Sequence, residues 1–149
     1  MRKKLKTTLT VILSAGTFCF ASASSPANAA GEQPFFACKT ASGKLVRFAR
    51  EGRVLRYSYG KPGQAADLTF SVPLASASFS ASGPSGAGTW WVTREISVLF
   101  NGTQYTGHWA YHRGEGTEEA GVTVSRAGRT LAETACKSDI QVDIPEVDE

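Results

Sequence analysis

Val98-Leu99-Phe100-Asn101-Gly102-Thr103-Gln104-Tyr105 is the stretch that decides the fold. An Asn-Gly pair between two alternating runs is the composition of a two-residue type I′ turn, because both central positions need positive φ and these two residues tolerate it. That turn fixes a register. Phe100 faces Thr103, Val98 faces Tyr105, Ile96 faces Gly107, Arg94 faces Trp109 and Val92 faces Tyr111 on one side, read as the core side. Ser97 with Thr106, Glu95 with His108, Thr93 with Ala110 and Trp91 with His112 occupy the other side, polar apart from Trp91 and expected to meet water.

The same texture continues outward. Short alternating runs rich in Val, Thr, Phe, Tyr and Trp recur every ten or so residues, and no sustained apolar repeat at helical spacing follows Ala30. Strands are predicted near 34–39, 44–49, 54–59, 67–72, 76–81, 89–100, 103–112, 120–125 and 130–136, with Gly, Pro and Asn at most of the joints. A second hairpin turning at Glu51-Gly52 offers Val46, Phe48, Leu55, Tyr57 and Tyr59 to the core. The expected fold is all-β: a single antiparallel β-sandwich or barrel of about eight to nine strands, closed by one disulfide.

Residues 1–29 have the three zones of a secretory signal. Arg2, Lys3, Lys4 and Lys6 form a basic start, an apolar stretch runs from Leu9 to Phe20, and Ala27-Asn28-Ala29 offers the small residues of a cleavage site. The apolar stretch is shorter than the ~20 residues a membrane span needs. The expected division is therefore a signal peptide at 1–29, a β domain at 30–138 and an acidic tail at 139–149. Ile140, Val142 and Ile144 alternate within that tail and could add an edge strand.

Removing the signal also changes the charge. It carries four of the sixteen Lys and Arg residues and no acid, leaving twelve basic against thirteen acidic residues, net −1. The +3 of the whole chain is then no sign of nucleic-acid or membrane binding. Of three cysteines, Cys19 leaves with the signal, and Cys38 and Cys136 are expected to pair in an oxidising compartment, the periplasm or the medium. Such a distant pair lacks the C-x-x-C spacing of an oxidoreductase.

Few constellations offer chemistry. His108 and His112, the only histidines, lie on one face of a strand but about 13 Å apart at roughly 3.3 Å per residue, too far for one metal ion. No cofactor or metal site is expected. The sequence carries no nucleophile elbow, phosphate loop or metalloprotease motif, so an enzyme is not expected; Glu95, His108 and Glu118 are the acid–base candidates if there is one. Core packing accounts for Tyr105, Trp109 and Tyr111, and stacking on Trp109 would make Arg94 tolerable among them. Trp91 is different, because its register puts it on the watery side beside His112. Arg47, Arg50, Arg53 and Arg56 cluster on the second hairpin, with Glu51 alone to offset them; they read either as a solvated edge or as a surface for an acidic partner. Between Ser80 and Thr89 lies a run with no large side chain, which reads as a loop.

Phe36-Ala37-Cys38-Lys39 followed by Ser42-Gly43-Lys44-Leu45-Val46, together with Ser80-Ala81-Ser82-Gly83 and the overall size, resembles the small periplasmic lysozyme inhibitors of bacteria. Asn101-Gly102-Thr103-Gln104-Tyr105 has the Gly-x-x-Tyr part of a related loop motif. The resemblance implies an antiparallel β protein that places a Ser-Gly loop in the lysozyme cleft, with Ser82, Gly83, Ser85 and Tyr105 as contacts. The expected function is accordingly an exported protein-binding module that inhibits, or gives immunity against, a lysozyme or other peptidoglycan hydrolase. The alternative is a carbohydrate or cell-wall binding module built on Trp91 and His112.

Overall fold

The computed structural model describes residues 31–83 and 90–145. The expected signal peptide and Ser85 lie outside the described residues. Nine strands follow one another: β1 (Glu32–Thr40), β2 (Leu45–Glu51), β3 (Val54–Gly60), β4 (Leu68–Pro73), β5 (Ser78–Ser82), β6 (Trp91–Phe100), β7 (Thr103–His112), β8 (Thr117–Arg126) and β9 (Arg129–Val142). A single 3-10 turn, Leu74–Ser76, separates β4 from β5. No helix among the described residues is long and apolar enough to cross a membrane.

The strands form one antiparallel sheet in the order β4-β3-β2-β1-β9-β8-β7-β6-β5. The expected all-β class therefore holds, but the sheet is not closed. β4 pairs only with β3, and β5 only with β6, among the described residues. The sheet instead bends over on itself. Phe70 of β4 stacks on Phe100 of β6 with ring centroids 4.2 Å apart, and Tyr57 of β3 lies 5.0 Å from Tyr105 of β7. Phe36, Val46, Phe48, Leu55, Ile96 and Val98 are fully buried between the two halves. Each contributes roughly 1.5 to 3 kcal/mol by leaving water.

The Asn101-Gly102 hairpin has the predicted register at every pair from Phe100 with Thr103 to Trp91 with His112. Asn101 and Gly102 have φ of 49° and 72°, as a type I′ turn requires. Gly107 in β7 lets the two halves approach: a Cβ there would sit 3.0 Å from the Phe48 ring and 3.1 Å from that of Phe36. In the second hairpin Glu51 pairs with Val54, so the turn is Gly52-Arg53, one residue later than predicted. Gly52 takes the positive φ, 61°, that sets this position.

Two departures from simple alternation matter. Phe35 and Phe36 are consecutive and both buried, because a bulge between Pro34 and Phe36 sends Phe35 against Phe79 and Phe36 against Phe48. The acidic stretch from Asp139 is also no edge strand. It continues β9, whose first half pairs with β8 and whose second half pairs with β1 near the middle of the sheet. Ile140 and Val142 pack on the core and Ile144 is buried, which draws this segment inward despite its charge. The predicted disulfide, Cys38–Cys136, joins β1 to β9 with Cα atoms 5.7 Å apart. It is compatible with an oxidising, exported environment.

Candidate functional site

The end of the β6–β7 hairpin away from Asn101-Gly102 is rich in aromatic side chains. Trp91 and His112, directly opposite each other, meet edge to face with ring centroids 4.8 Å apart. Their positions are fixed by the β7–β8 connection. The backbone N–H of Glu115 donates to His112 Nδ1 at 3.0 Å, and Gly116 N–H donates to the His112 carbonyl at 2.8 Å. An Nδ1 that accepts this bond leaves the imidazole proton on Nε2. Arg113 N–H donates to the Trp90 carbonyl at 2.9 Å, tying the approach to β6 to the same connection.

Trp90 is 59% exposed and is the most solvent-open tryptophan of the protein's described residues. A Cβ on Gly114 would meet the His112 ring at 3.4 Å and the Trp90 ring at 3.6 Å, so both rings flank that glycine. Trp91 itself is half-buried. The arrangement is an exposed indole beside a fixed indole–imidazole pair, which presents apolar ring area together with an N–H donor and suits a protein partner or a sugar ring.

Other predicted contacts scatter. Ser82 and Gly83 are exposed at the end of β5, with the Ser82 hydroxyl hydrogen-bonded to that of Thr93, two residues from Trp91. Tyr105 packs in the core against Tyr57 and Phe70 at the other end of the hairpin. Seven residues of strand separate its partner Val98 from Trp91, roughly 23 Å at ~3.3 Å per residue. Ser82, Gly83 and Trp91 therefore belong to one end of the sheet and Tyr105 to the other.

The acid–base candidates are partly brought together, since His108 is the cross-strand partner of Glu95 and borders one groove with Glu118. The Glu118 carboxylate, however, accepts a 2.6 Å hydrogen bond from the Trp109 indole. Trp109 is half-buried and packs against the core as predicted, whereas Tyr111, also half-buried, lies beyond the core cluster; their rings are nearly parallel, at 5° and 6.2 Å. Arg94 donates to the Thr93 carbonyl at 2.9 Å and to that of Ser82 at 3.4 Å, a role for its charge that the sequence did not suggest.

A groove of about 550 Å³ crosses β7, β8 and β9, lined in part by His108, Glu118, Glu119, Gly121, Glu133 and Lys137. Gly121 gives it a floor, since a Cβ there would touch the His108 imidazole at 3.0 Å. Among the described residues no group of three His, Cys, Asp or Glu is placed to hold a metal ion. The arginine hairpin is less unbalanced than its sequence implies. Arg56 pairs with Glu51 at 3.1 Å and Arg47 with Glu32 at 3.4 Å, Glu32 being brought alongside by β1.

The sequence singled out Trp91, and the exposed tryptophan beside it is Trp90. Its signal was the Trp90-Trp91 dipeptide, since neighbouring residues in regular extended chain project to opposite sides. No protein-family model, curated protein or solved structure matches this chain.

Proposed function

We propose that this protein is an exported binding module of the bacterial envelope that engages a cell-wall hydrolase, as inhibitor or immunity protein, through the aromatic end formed by Trp90, Trp91 and His112 with Ser82 and Gly83 beside it. The observation that carries the reading is the exposed Trp90 next to a Trp91–His112 pair held by backbone hydrogen bonds. A large apolar side chain kept at the surface by a rigid frame is the usual anchor of a protein contact, because it enters a partner's pocket with little loss of freedom. The disulfide and the continuous sheet supply that frame.

Affinity capture from envelope extract, with a Trp90→Ala, Trp91→Ala double variant as control, tests the reading. A peptidoglycan hydrolase retained at near-equal stoichiometry by the native protein and lost by the variant supports it. Retention of the same proteins by both sinks it. A second reading, direct binding of cell-wall glycan, is favoured by the exposure of Trp90, whose indole could stack on a sugar ring. Retention of glycan without protein would select it.

A further inference from the structure

β5, Ser78-Phe79-Ser80-Ala81-Ser82, is an open edge: among the described residues it pairs with β6 on one side and with nothing on the other. Edge strands in monomers are usually blunted by charge, by proline or by a covering segment, because their free N–H and C=O groups invite another strand. β5 itself has no charged residue and no proline, and the Arg94 guanidinium meets it only at its last residue, at the Ser82 carbonyl 3.4 Å away. Its pattern is also complementary to itself. In an antiparallel pair of two copies with Ser80 opposite Ser80, all five residues find partners, with Ser78 opposite Ser82 and Phe79 opposite Ala81. Three exposed serines then form the outer row, where small hydroxyl side chains pair without crowding. On the inner side each large residue meets a small one.

The other open edge does not offer this. β4 has six residues, so a two-fold axis perpendicular to the sheet cannot pair all of them without setting inward side chains against outward ones. β4 also ends in Pro73, which has no N–H to give, and begins beside the Lys44–Asp67 ion pair at 2.8 Å. The uncharged, odd-numbered edge is the one suited to symmetric pairing.

We propose that β5 is a self-association edge, through which two copies of this chain join antiparallel about an axis at Ser80. Ser82 is shared with the proposed partner contact and Ser80 is not, so substitutions at Ser80 test the pairing separately from that contact. Sedimentation of the disulfide-bonded protein over about 1 μM to 1 mM tests it, a range that spans weak pairing through a short interface. The native protein is expected to pass from one copy to two. Ser80→Lys puts two like charges face to face and is expected to hold the protein at the single-copy mass throughout, as is Ser80→Glu. Mixing the two variants in equal amounts restores the two-copy mass, because the charges then oppose. Hydrogen exchange at 78–82 gives a second readout, with these amides slowing as concentration rises in the native protein alone. A native protein that stays single to the top of the range overturns the proposal. So do a series of ever larger species, which would mean β5 joining a different edge, and two copies formed undiminished by Ser80→Lys.

Discussion

Trp109 donates its indole N–H to the Glu118 carboxylate across 2.6 Å, which engages the one carboxylate of β8 that the strand register sets opposite Tyr111. Glu118 and His108, both acid–base candidates of the sequence, border one groove, but the Glu118 carboxylate is taken by an indole. Glu118 supports an aromatic side chain, and His108 stands over Gly121 in the outer groove.

Glu118→Ala should therefore act on the fold rather than on partner binding. Loss of a charged acceptor for a half-buried donor costs about 1 kcal/mol. Urea unfolding followed by tryptophan fluorescence measures it. Partner retention through Trp90 should be unchanged, and loss of that retention would mean that Glu118 belongs to the contact.

Gly107→Ala should cost about 1 to 3 kcal/mol, and Gly107→Val more, because any Cβ pushes into the Phe36 and Phe48 rings between two halves that have no spare room. Chemical denaturation with an unchanged slope checks this. An alanine as stable as glycine would show that the halves can separate without loss.

The hairpin was legible because Asn101-Gly102 is a local device whose geometry depends on two residues, and period-two alternation carried that register along ten residue pairs. The bend in the sheet was not legible. It depends on Phe70 meeting Phe100 and Tyr57 meeting Tyr105, contacts between strands far apart in the chain that no local pattern encodes. The bulge that buries both Phe35 and Phe36 breaks the alternation on which strand reading rests. The Trp91–His112 pair and the packing of Trp109 on the core were readable from the register, whereas the place of Tyr111 was not, because alternation gives a face but not how far the opposite half extends over it. Tyr105 pairs with Val98 and Ser82 with Thr93, five residues or roughly 17 Å along β6 at ~3.3 Å per residue, a separation that needs the β5–β6 pairing as well as the hairpin register.

Reducing the Cys38–Cys136 bond, or replacing both cysteines with serine, should lower stability by about 2 to 5 kcal/mol, since it releases a loop spanning 98 positions. Unfolding midpoints with and without reductant measure the effect. β1 and β9 also pair through their backbones, so the sheet should persist at low temperature after reduction. Complete unfolding in reductant at low temperature would show the bond to be obligatory.

Tyr57 gives the fold a limit at alkaline pH. Burial pushes its phenol well above the ordinary value of about 10, with the neighbouring Tyr105 and Tyr59 adding to the shift. The folded state then keeps a proton that the unfolded state releases. Stability is fully present below about pH 10 and falls above it by up to ~1.4 kcal/mol per pH unit for this one group. In a phenolate absorbance titration one tyrosine should ionise only as the fold is lost. Tyr57→Phe should remove that component; its survival in the variant would contradict the assignment.

The most direct measurement of the central claim is a stoichiometric inhibition assay of the disulfide-bonded protein against a panel of lysozymes and other peptidoglycan hydrolases, run beside Trp90→Ala. The account predicts that at least one hydrolase is silenced near one equivalent and that Trp90→Ala weakens this at least about tenfold, as loss of a tryptophan anchor does. Full hydrolase activity across the panel in the presence of excess protein, or inhibition untouched by Trp90→Ala, would contradict it.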